Sequence, residues 1–404
     1  MESHCRFWFV LLGCLSGMGC GPAATPVWNK DSRSFFYSQT DGSVHQYDLD
    51  KMASKTLLGP GQQHPQRIAV NPNVAAITLA QAAIGADSGA AQVGFASLPN
   101  VELSWSKLEV WGDPNARRDI CPVSCYWCPT GRRVLIWYQQ SAAVPGLIKS
   151  ATPFGRFAVY DVTTQKLSDL TTATPAVILG QVINASPLCP DGSGYVAMKL
   201  ADKGPRLFFV TWDGWEYPLA LDEKIEALLI LMADTKTDDS YKMQKFFPLP
   251  QGTWSNNVLK FSLRDGTVVI DPKSRRVSMQ PLTERQQKEF EQIAAADSAD
   301  APWRTIQVAA FQGDRFALHA RLNMGTARID LVDLKEDRRR VVLEGTFPIN
   351  YFIHHLFPSP DGKFILASLI ERPGTRTWIH VINADGTILT KVDQGPLDPR
   401  AVEK

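Results

Sequence analysis

Seven segments of this chain can be set in line, and most of them share one turn frame. They are "VWNKDSRSFFYS" (27–38), "AVNPNVAAITLA" (69–80), "YWCPTGRRVLIWY" (126–138), "PLCPDGSGYVAMK" (187–199), "FPLPQGTW" (247–254), "AAFQGDRFALHA" (309–320) and "FPSPDGKFILAS" (357–368). The frame is an apolar or aromatic pair, a small or polar residue, proline, Asp-Gly or a substitute, then an apolar run. Its proline position falls at Lys30, Pro72, Pro129, Pro190, Pro250, Gly313 and Pro360, with gaps of 42, 57, 61, 60, 63 and 47 residues. Proline fixes φ, and the glycine behind it supplies the positive-φ corner of a tight turn. The run that follows is in most segments β-branched or aromatic, as a strand prefers. Lys30 and Gly313 depart from proline, and 247–254 lacks an immediate run, its strand appearing later at "NVLKFSL".

Each frame leads into further strands. A second run, often ending in aspartate, appears as "SVHQYDLD" (43–50), "RFAVYDV" (156–162), "GTVVIDP" (266–272) and "ARIDLVDL" (327–334). A third follows another turn, for example "KLSDLT" (166–171) and "RRVVLEG" (339–345). With the strand before the frame, each unit holds four short antiparallel strands. One such sheet cannot hide both faces, but radial repetition packs each sheet on its neighbours. The pattern predicts an all-β fold, a β-propeller of seven four-stranded blades. Six or eight blades stay open because residues 226–262 are irregular. Two sandwich domains would leave the recurring frame unexplained. One helix is expected near 283–296, opened by a Thr283-x-x-Gln286 capping box and carrying a narrow apolar stripe of Phe290, Ile293 and Ala294.

The frame, above all "FPSPDGKFILAS" and "YWCPTGRRVLIWY", resembles the WD40-like (PD40) repeat of TolB-type propellers, also found in the propeller domain of prolyl-oligopeptidase-type enzymes. The resemblance covers roughly residues 26–394 and rests on recurrence, since each motif is short. It implies a periplasmic or surface binding platform more often than an enzyme.

The N-terminus reads as an export signal. Arg6 precedes the apolar "FWFVLLGCLSGMG", which is too short for a stable bilayer span. The stretch ends at a cysteine followed by "GPAATP", similar to the tether of a bacterial lipoprotein. Cys20 is the preferred lipid-attachment residue and Cys14, in "LLGC", the alternative; a soluble secreted protein cleaved near Ala24 is the other reading. The expected organisation is a signal peptide at 1–19, a tether at 20–25, the propeller at 26–394 and a tail at 395–404. Acyl chains would hold the body at a membrane in the periplasm or at the cell surface.

The chemistry is sparse. Cys121, Cys125 and Cys128 have the C-x3-C-x2-C spacing of a radical S-adenosylmethionine cluster site. Three features oppose a cluster: helical periodicity is nearly absent, an exported chain meets an oxidising compartment, and Cys128 sits inside the turn frame. Disulfides or structural thiols among Cys121, Cys125, Cys128 and Cys189 are expected instead, with Cys121–Cys125 or Cys121–Cys128 as local pairings and Cys128–Cys189 as one between blades. A zinc site using Cys189 is the lesser reading. No G-x-S-x-G, P-loop or dinucleotide motif occurs. His354-His355 falls on the inner strand of the last blade, where alternation would send one side chain toward the channel. Trp212, Trp215 and Tyr217, in "TWDGWEYP", form a candidate peptide- or glycan-binding patch, weighed against packing between blades. The loops at 81–92 and 139–154 are longer than hairpins need. A formal net charge of +1 with no basic run argues against a nucleic-acid partner. The expectation is a monomeric, non-catalytic platform for a protein, peptide or glycan, without cofactor or metal. The alternative is a propeller hydrolase or lyase acting on a glycan or lactone through a channel site.

Overall fold

The structure is a computed structural model that describes residues 26–60, 67–73, 75–81, 92–98, 104–108, 118–142, 156–169, 176–178, 188–201, 204–225, 253–263, 266–284, 287, 291, 303–311, 315–323, 326–336, 338–346, 351–371 and 376–396. Their strands form seven four-stranded antiparallel sheets, the blades of a β-propeller. The first sheet holds β1 (Val27–Trp28), β2 (Ser34–Ser38), β3 (Val44–Asp48) and β4 (Ala53–Leu58). The second holds β5 (Arg67–Val70), β6 (Ala76–Gln81), β7 (Gln92–Ser97) and β8 (Ser104–Lys107). The third holds β9 (Arg118–Trp127), β10 (Arg133–Ala142), β11 (Arg156–Asp161) and β12 (Lys166–Asp169). The fourth holds β13 (Ala176–Ile178), β14 (Gly194–Ala201), β15 (Gly204–Thr211) and β16 (Glu216–Pro218). The fifth holds β17 (Thr253–Ser255), β18 (Val258–Leu263), β19 (Gly266–Asp271) and β20 (Arg276–Gln280). The sixth holds β21 (Arg304–Ala310), β22 (Phe316–Asn323), β23 (Thr326–Asp333) and β24 (Arg338–Thr346). The seventh holds β25 (Tyr351–Pro358), β26 (Phe364–Glu371), β27 (Arg376–Asn383) and β28 (Ile388–Pro396).

The turn frame does what its residues imply. The backbone N–H of the first residue of the turn, after the apolar pair, donates to the carbonyl five residues on: Asn29 to Ser34, Asn71 to Ala76, Cys128 to Arg133, Cys189 to Gly194, Phe311 to Phe316 and Ser359 to Phe364, at 2.7–3.0 Å. In four frames the fourth residue donates back to the first and has positive φ: Ser32 (58°), Gly131 (72°), Gly192 (73°) and Gly362 (66°). On the sixth sheet Phe311 makes this bond, and Gln312 and Gly313, where the proline position was expected, lie outside the described residues. On the fifth, β17 and β18 are joined by Asn256-Asn257, at φ 51° and 60°, with Ser255 paired to Val258. That is a two-residue hairpin built on the left-handed tolerance of asparagine; Pro250, where the frame is expected, lies outside the described residues.

A second repeated device closes the turn after the third strand. Asp48, Asp161, Asp271 and Asp333 each accept the backbone N–H groups two and three residues on. Four residues after the aspartate, Met52, Gln165 and Arg275 take positive φ to complete three of these turns.

The chain divides into two compact units. One contains Asn71–Ala96 and Leu103–Lys288. Within it, alternate residues of a strand serve two different cores. Tyr195 and Ala197 of β14 pack with Leu135, Trp137, Phe157 and Val210, whereas Val196 packs with Leu207, Leu259 and Ile270. Both faces of the fourth sheet are therefore buried, which is why its strands read as continuous apolar runs. The other unit contains Cys20–Val70, Ser97–Glu102 and Glu289–Lys404. Its sixth and seventh sheets share Leu318, Ala320, Ile329, Leu356, Ile365 and Leu369. Its seventh and first sheets share Trp28, Phe35, Tyr47, Phe357, Ile379 and Val392.

The strands run from Val27 to Pro396, two residues beyond the expected boundary at 394. Glu284, Gln287 and Glu291 are helical, and Gln287 N–H donates to the Thr283 carbonyl at 2.9 Å, within the segment expected as a helix. Its stripe residues Phe290, Ile293 and Ala294 lie outside the described residues, as do Cys14, Cys20 and the signal segment.

Candidate functional site

An open polar groove of about 540 Å³ lies between the first and seventh sheets. Strand register builds it. Across the first sheet, Tyr37 of β2 faces His45 of β3, and His45 faces Thr56 of β4. One row along, Phe35 faces Tyr47 and Tyr47 faces Ser54. Residues two apart on a strand share a face, so both rows present to the same side. Thr390, Lys391, Val392 and Asp393 of β28 form the opposite wall, with Gln39 and Met52 at the margins.

Hydrogen bonds orient these groups. Tyr37 Oη lies 2.8 Å from Ser54 Oγ, and Tyr47 Oη lies 3.0 Å from Thr390 Oγ1, across the groove. The His45 ring stacks on Tyr37 with centroids 5.2 Å apart. Ser43 Oγ sits 2.6 Å from Asp41 Oδ1 and 2.7 Å from His45 Nε2, while Thr56 Oγ1 lies 3.2 Å from His45 Nδ1. A carboxylate only accepts, so the Ser43 proton goes to Asp41 and Ser43 accepts from His45 Nε2–H. Neutral His45 then accepts from Thr56 at Nδ1. Burial pushes the His45 pKa below its ordinary range, against the upward pull of Asp41. Burial likewise raises Tyr37, only partly offset by the Ser54 hydrogen bond.

The same two sheets are locked together around the groove. Trp28 Nε1–H donates to the Phe357 carbonyl at 2.8 Å, and the Asp361 N–H to Ser32 Oγ at 3.0 Å. Thr40 N–H donates to the Gln394 carbonyl at 3.0 Å, and Gln394 Nε2 to the Ser38 carbonyl at 3.2 Å. No strand is exchanged between the two sheets.

The residues singled out from sequence fall elsewhere. Trp212 is buried at 8% exposure, donates Nε1–H to the Gly192 carbonyl at 2.7 Å and packs in the core between the third and fourth sheets. Tyr217 packs on the next core, with the Arg275 guanidinium 4.3 Å from its ring centre. Only Trp215, at 70%, is exposed among the three. The expected aromatic patch is therefore not one surface, because the sheet sends its members to different layers.

Cys121 and Cys125 lie on one strand, β9, paired with Gln139 and Ile136 of β10. Across the register shift these four residues oppose three of β10, a span of about 10 Å, beyond disulfide reach, and Cys128 is farther along still. Neither local pairing can close. Pro122 fits because β9 ends its sheet and shifts register between its Ser124 and Pro122 pairs. Cys128 and Cys189 are buried free thiols. Cys128 joins the core of the third and fourth sheets and Cys189 that of the fourth and fifth, so the fourth sheet separates the pairing considered between blades. Burial pushes the Cys189 thiol up to about 11. Among the described residues, no group of three or more His, Cys, Asp or Glu side chains could hold a metal ion.

His354 falls at a register shift between Ile353 and His355 of β25, so simple alternation does not apply there. The loop expected at 139–154 begins later, since β10 continues to Ala142, and residues 82–91 and 143–155 lie outside the described residues. No described helix is long and apolar enough to cross a membrane. The sixth sheet also buries charge: Arg321 Nη1 is 3.5 Å and Arg328 Nε 3.1 Å from Asp330 Oδ2, with Arg328 stacked 4.0 Å over Trp303. This cluster ties β22 to β23.

The fold and groove define the class: a seven-bladed β-propeller with an open polar groove at the seam of its first and last blades. No family model matches the chain, and no curated protein sequence does. Solved structures that resemble it include TolB from Acinetobacter baumannii, at 10% identity and TM-score 0.33, covering 92% of this chain and 62% of that one. The dihydro-heme d1 dehydrogenase NirN, in complex with DHE, gives 12%, 0.43, 92% and 66%. Dipeptidyl peptidase 4 of Porphyromonas gingivalis gives 10%, 0.46, 95% and 61%. The chain thus spans less than two thirds of the length of the first and third, and just under that of the second. At these scores the likenesses carry no argument about function.

Proposed function

We propose that the protein is an exported, lipid-anchored β-propeller that binds a protein, peptide or glycan without catalysis, and that the groove between the first and seventh sheets is its binding site. The supporting observation is the groove itself: Tyr37, His45, Tyr47 and Thr390 are held in place by hydrogen bonds and stacking before any ligand arrives. Pre-oriented groups lose little entropy on binding. The sequence features at Cys20 supply the anchor, which would raise local concentration at a membrane.

The order Asp41–Ser43–His45 differs from a nucleophile triad. There the carboxylate orients the imidazole, whereas here it holds a serine that is only 2% exposed. The arrangement orients His45 rather than activating Ser43.

The test is affinity capture from envelope extract with the immobilised protein and with a Thr56→Trp variant that fills the groove. Capture by the parent and loss in the variant are expected. Equal capture by both overturns the groove assignment. Turnover of a captured glycan or lactone, abolished by His45→Gln, overturns the non-catalytic reading. Mass spectrometry of the mature N-terminus checks the anchor, and an unmodified residue beyond Cys20 overturns it.

A further inference from the structure

We infer that Met52 is an oxidation site: a hydroperoxide converts its thioether to the sulfoxide, and the Tyr47 hydroxyl then holds the new oxygen at the seam of the first and seventh sheets. The inference stands whatever the groove binds. Three observations lead there.

The first is access. Met52 lies in the turn that Asp48 closes by accepting the N–H groups of Asp50 and Lys51 at 3.0 and 3.1 Å. Its backbone sits at φ 51°, so the turn fixes where the side chain starts. The side chain lines the groove and is 51% exposed, open to a small oxidant. Met279, by contrast, packs against the core of the fourth and fifth sheets. Oxidation follows access, so Met52 is the more reactive of the two.

The second is a donor already aimed at the sulfur. Tyr47 Oη lies 4.0 Å from Met52 Sδ, with its proton toward the sulfur, and 3.0 Å from Thr390 Oγ1. Tyr47 has one proton, so with that proton on the sulfur it accepts from Thr390. The distance to sulfur exceeds an O–H···O bond by about one sulfur–oxygen bond length, so the added oxygen falls within reach of Tyr47.

The third is the weakness of the present bond. A thioether accepts poorly, whereas a sulfoxide is polar. Tyr47 is only 6% exposed, so water competes little for its proton. Oxidation therefore strengthens the last link of a chain from Thr390 of β28 through Tyr47 of β3 to Met52, without breaking the bond across the seam.

The chemistry balances with hydrogen peroxide as oxidant. A sulfur lone pair attacks one peroxide oxygen and the O–O bond breaks. Sulfur loses two electrons to the peroxide, and the second oxygen leaves as water with both peroxide protons. No proton is drawn from the protein.

The experiment treats the whole protein with hydrogen peroxide and follows each methionine by peptide mass spectrometry. Met52 sulfoxide should form severalfold faster than Met279 sulfoxide; comparable rates overturn the site. The hold by Tyr47 is read from melting temperatures before and after peroxide, in the parent and in Tyr47→Phe. Each is compared with its Met52→Leu counterpart, so that the other methionines cancel. Met52 oxidation should lower the melting temperature of Tyr47→Phe by about 1–2 °C more than that of the parent, the share of one hydrogen bond. Equal shifts overturn the hold. A second measurement needs no variant: with 13C-methyl methionine in the parent, the Met52 sulfoxide methyl signal should sit away from its random-coil position. A narrow random-coil signal overturns the hold as well.

Discussion

The seam between the first and last sheets should depend strongly on Trp28. Its ring is 5% exposed and packs 5.7 Å from Phe35 and 6.3 Å from Phe364, centre to centre. Its Nε1–H donates to the carbonyl of Phe357, 329 residues away in sequence. Trp28→Phe keeps an aromatic ring but removes this donor to a buried carbonyl, at a cost of about 1–3 kcal/mol. The smaller ring leaves a void worth on the order of 1 kcal/mol more. The expected total is about 2–4 kcal/mol, and Trp28→Ala should reach or exceed the upper part of that range. The control is Trp215→Phe, since Trp215 is 70% exposed and its change should stay within about 0.5 kcal/mol. Urea unfolding followed by far-UV circular dichroism reads both, and the midpoint should move while the slope does not. If Trp28→Phe shifts the midpoint no more than Trp215→Phe, the indole does not hold the seam and the reasoning fails.

Acid should weaken the turns closed by aspartate. The Asp271 pKa is lowered by the Ser274 side chain and by backbone N–H groups, and Asp161 is lowered by Thr164 N–H and Arg133 although burial opposes this. A lowered folded-state pKa gives stability that is present above the unfolded value of about 3.9 and lost as pH falls through the folded value. Thermal melts between about pH 5 and pH 2 should therefore show a falling limb that Asp161→Asn and Asp271→Asn flatten; an unchanged limb in both refutes this. The Cys189 thiol, raised to about 11 by burial, should not react with a thiol reagent at neutral pH until the protein unfolds, and labelling in the native state would contradict its placement. Gly131→Ala should destabilise by at least about 1 kcal/mol, because an αL residue gains a Cβ. That Cβ would meet Asn71 Oδ1 at 2.6 Å and disturb the Asn71 bond to the Gly131 carbonyl; a neutral melt would show that the turn adjusts. Asn257→Gly should be neutral or stabilising and Asn257→Ala destabilising, as the two-residue hairpin at φ 60° requires, with the order read from melting temperatures.

Much of the fold was legible because its signals are local. The turn at Cys128–Gly131 needs only a proline, a glycine at positive φ and an apolar run behind them. Even Ser32, which replaces that glycine, keeps the same hydrogen bond back to Asn29. The exceptions are also local in origin. Asn256-Asn257 makes a shorter turn than the frame, and its two asparagines were a readable signal that the recurring proline obscured.

The site was far less legible. His45 was visible only as one of seven histidines, although Asp41-Gly42-Ser43-x-His45 carries a turn and alternation that place Ser43 and His45 on one face. What matters is its neighbours. Tyr47 and Thr390 are 343 residues apart, and no periodicity in either strand foretells that they touch. The aromatic cluster at Trp212, Trp215 and Tyr217 shows the converse. Proximity in sequence suggested one surface, but neighbouring sheets took Trp212 and Tyr217 into separate cores. The sequence alone determined most of the strands and turns and their recurrence, pointing to seven units with six or eight left open, because backbone conformation is decided within a few residues. The tertiary structure decided which face of each sheet is covered, which thiols lie apart and which polar rows meet across the seam, because burial depends on what the neighbouring sheet presents.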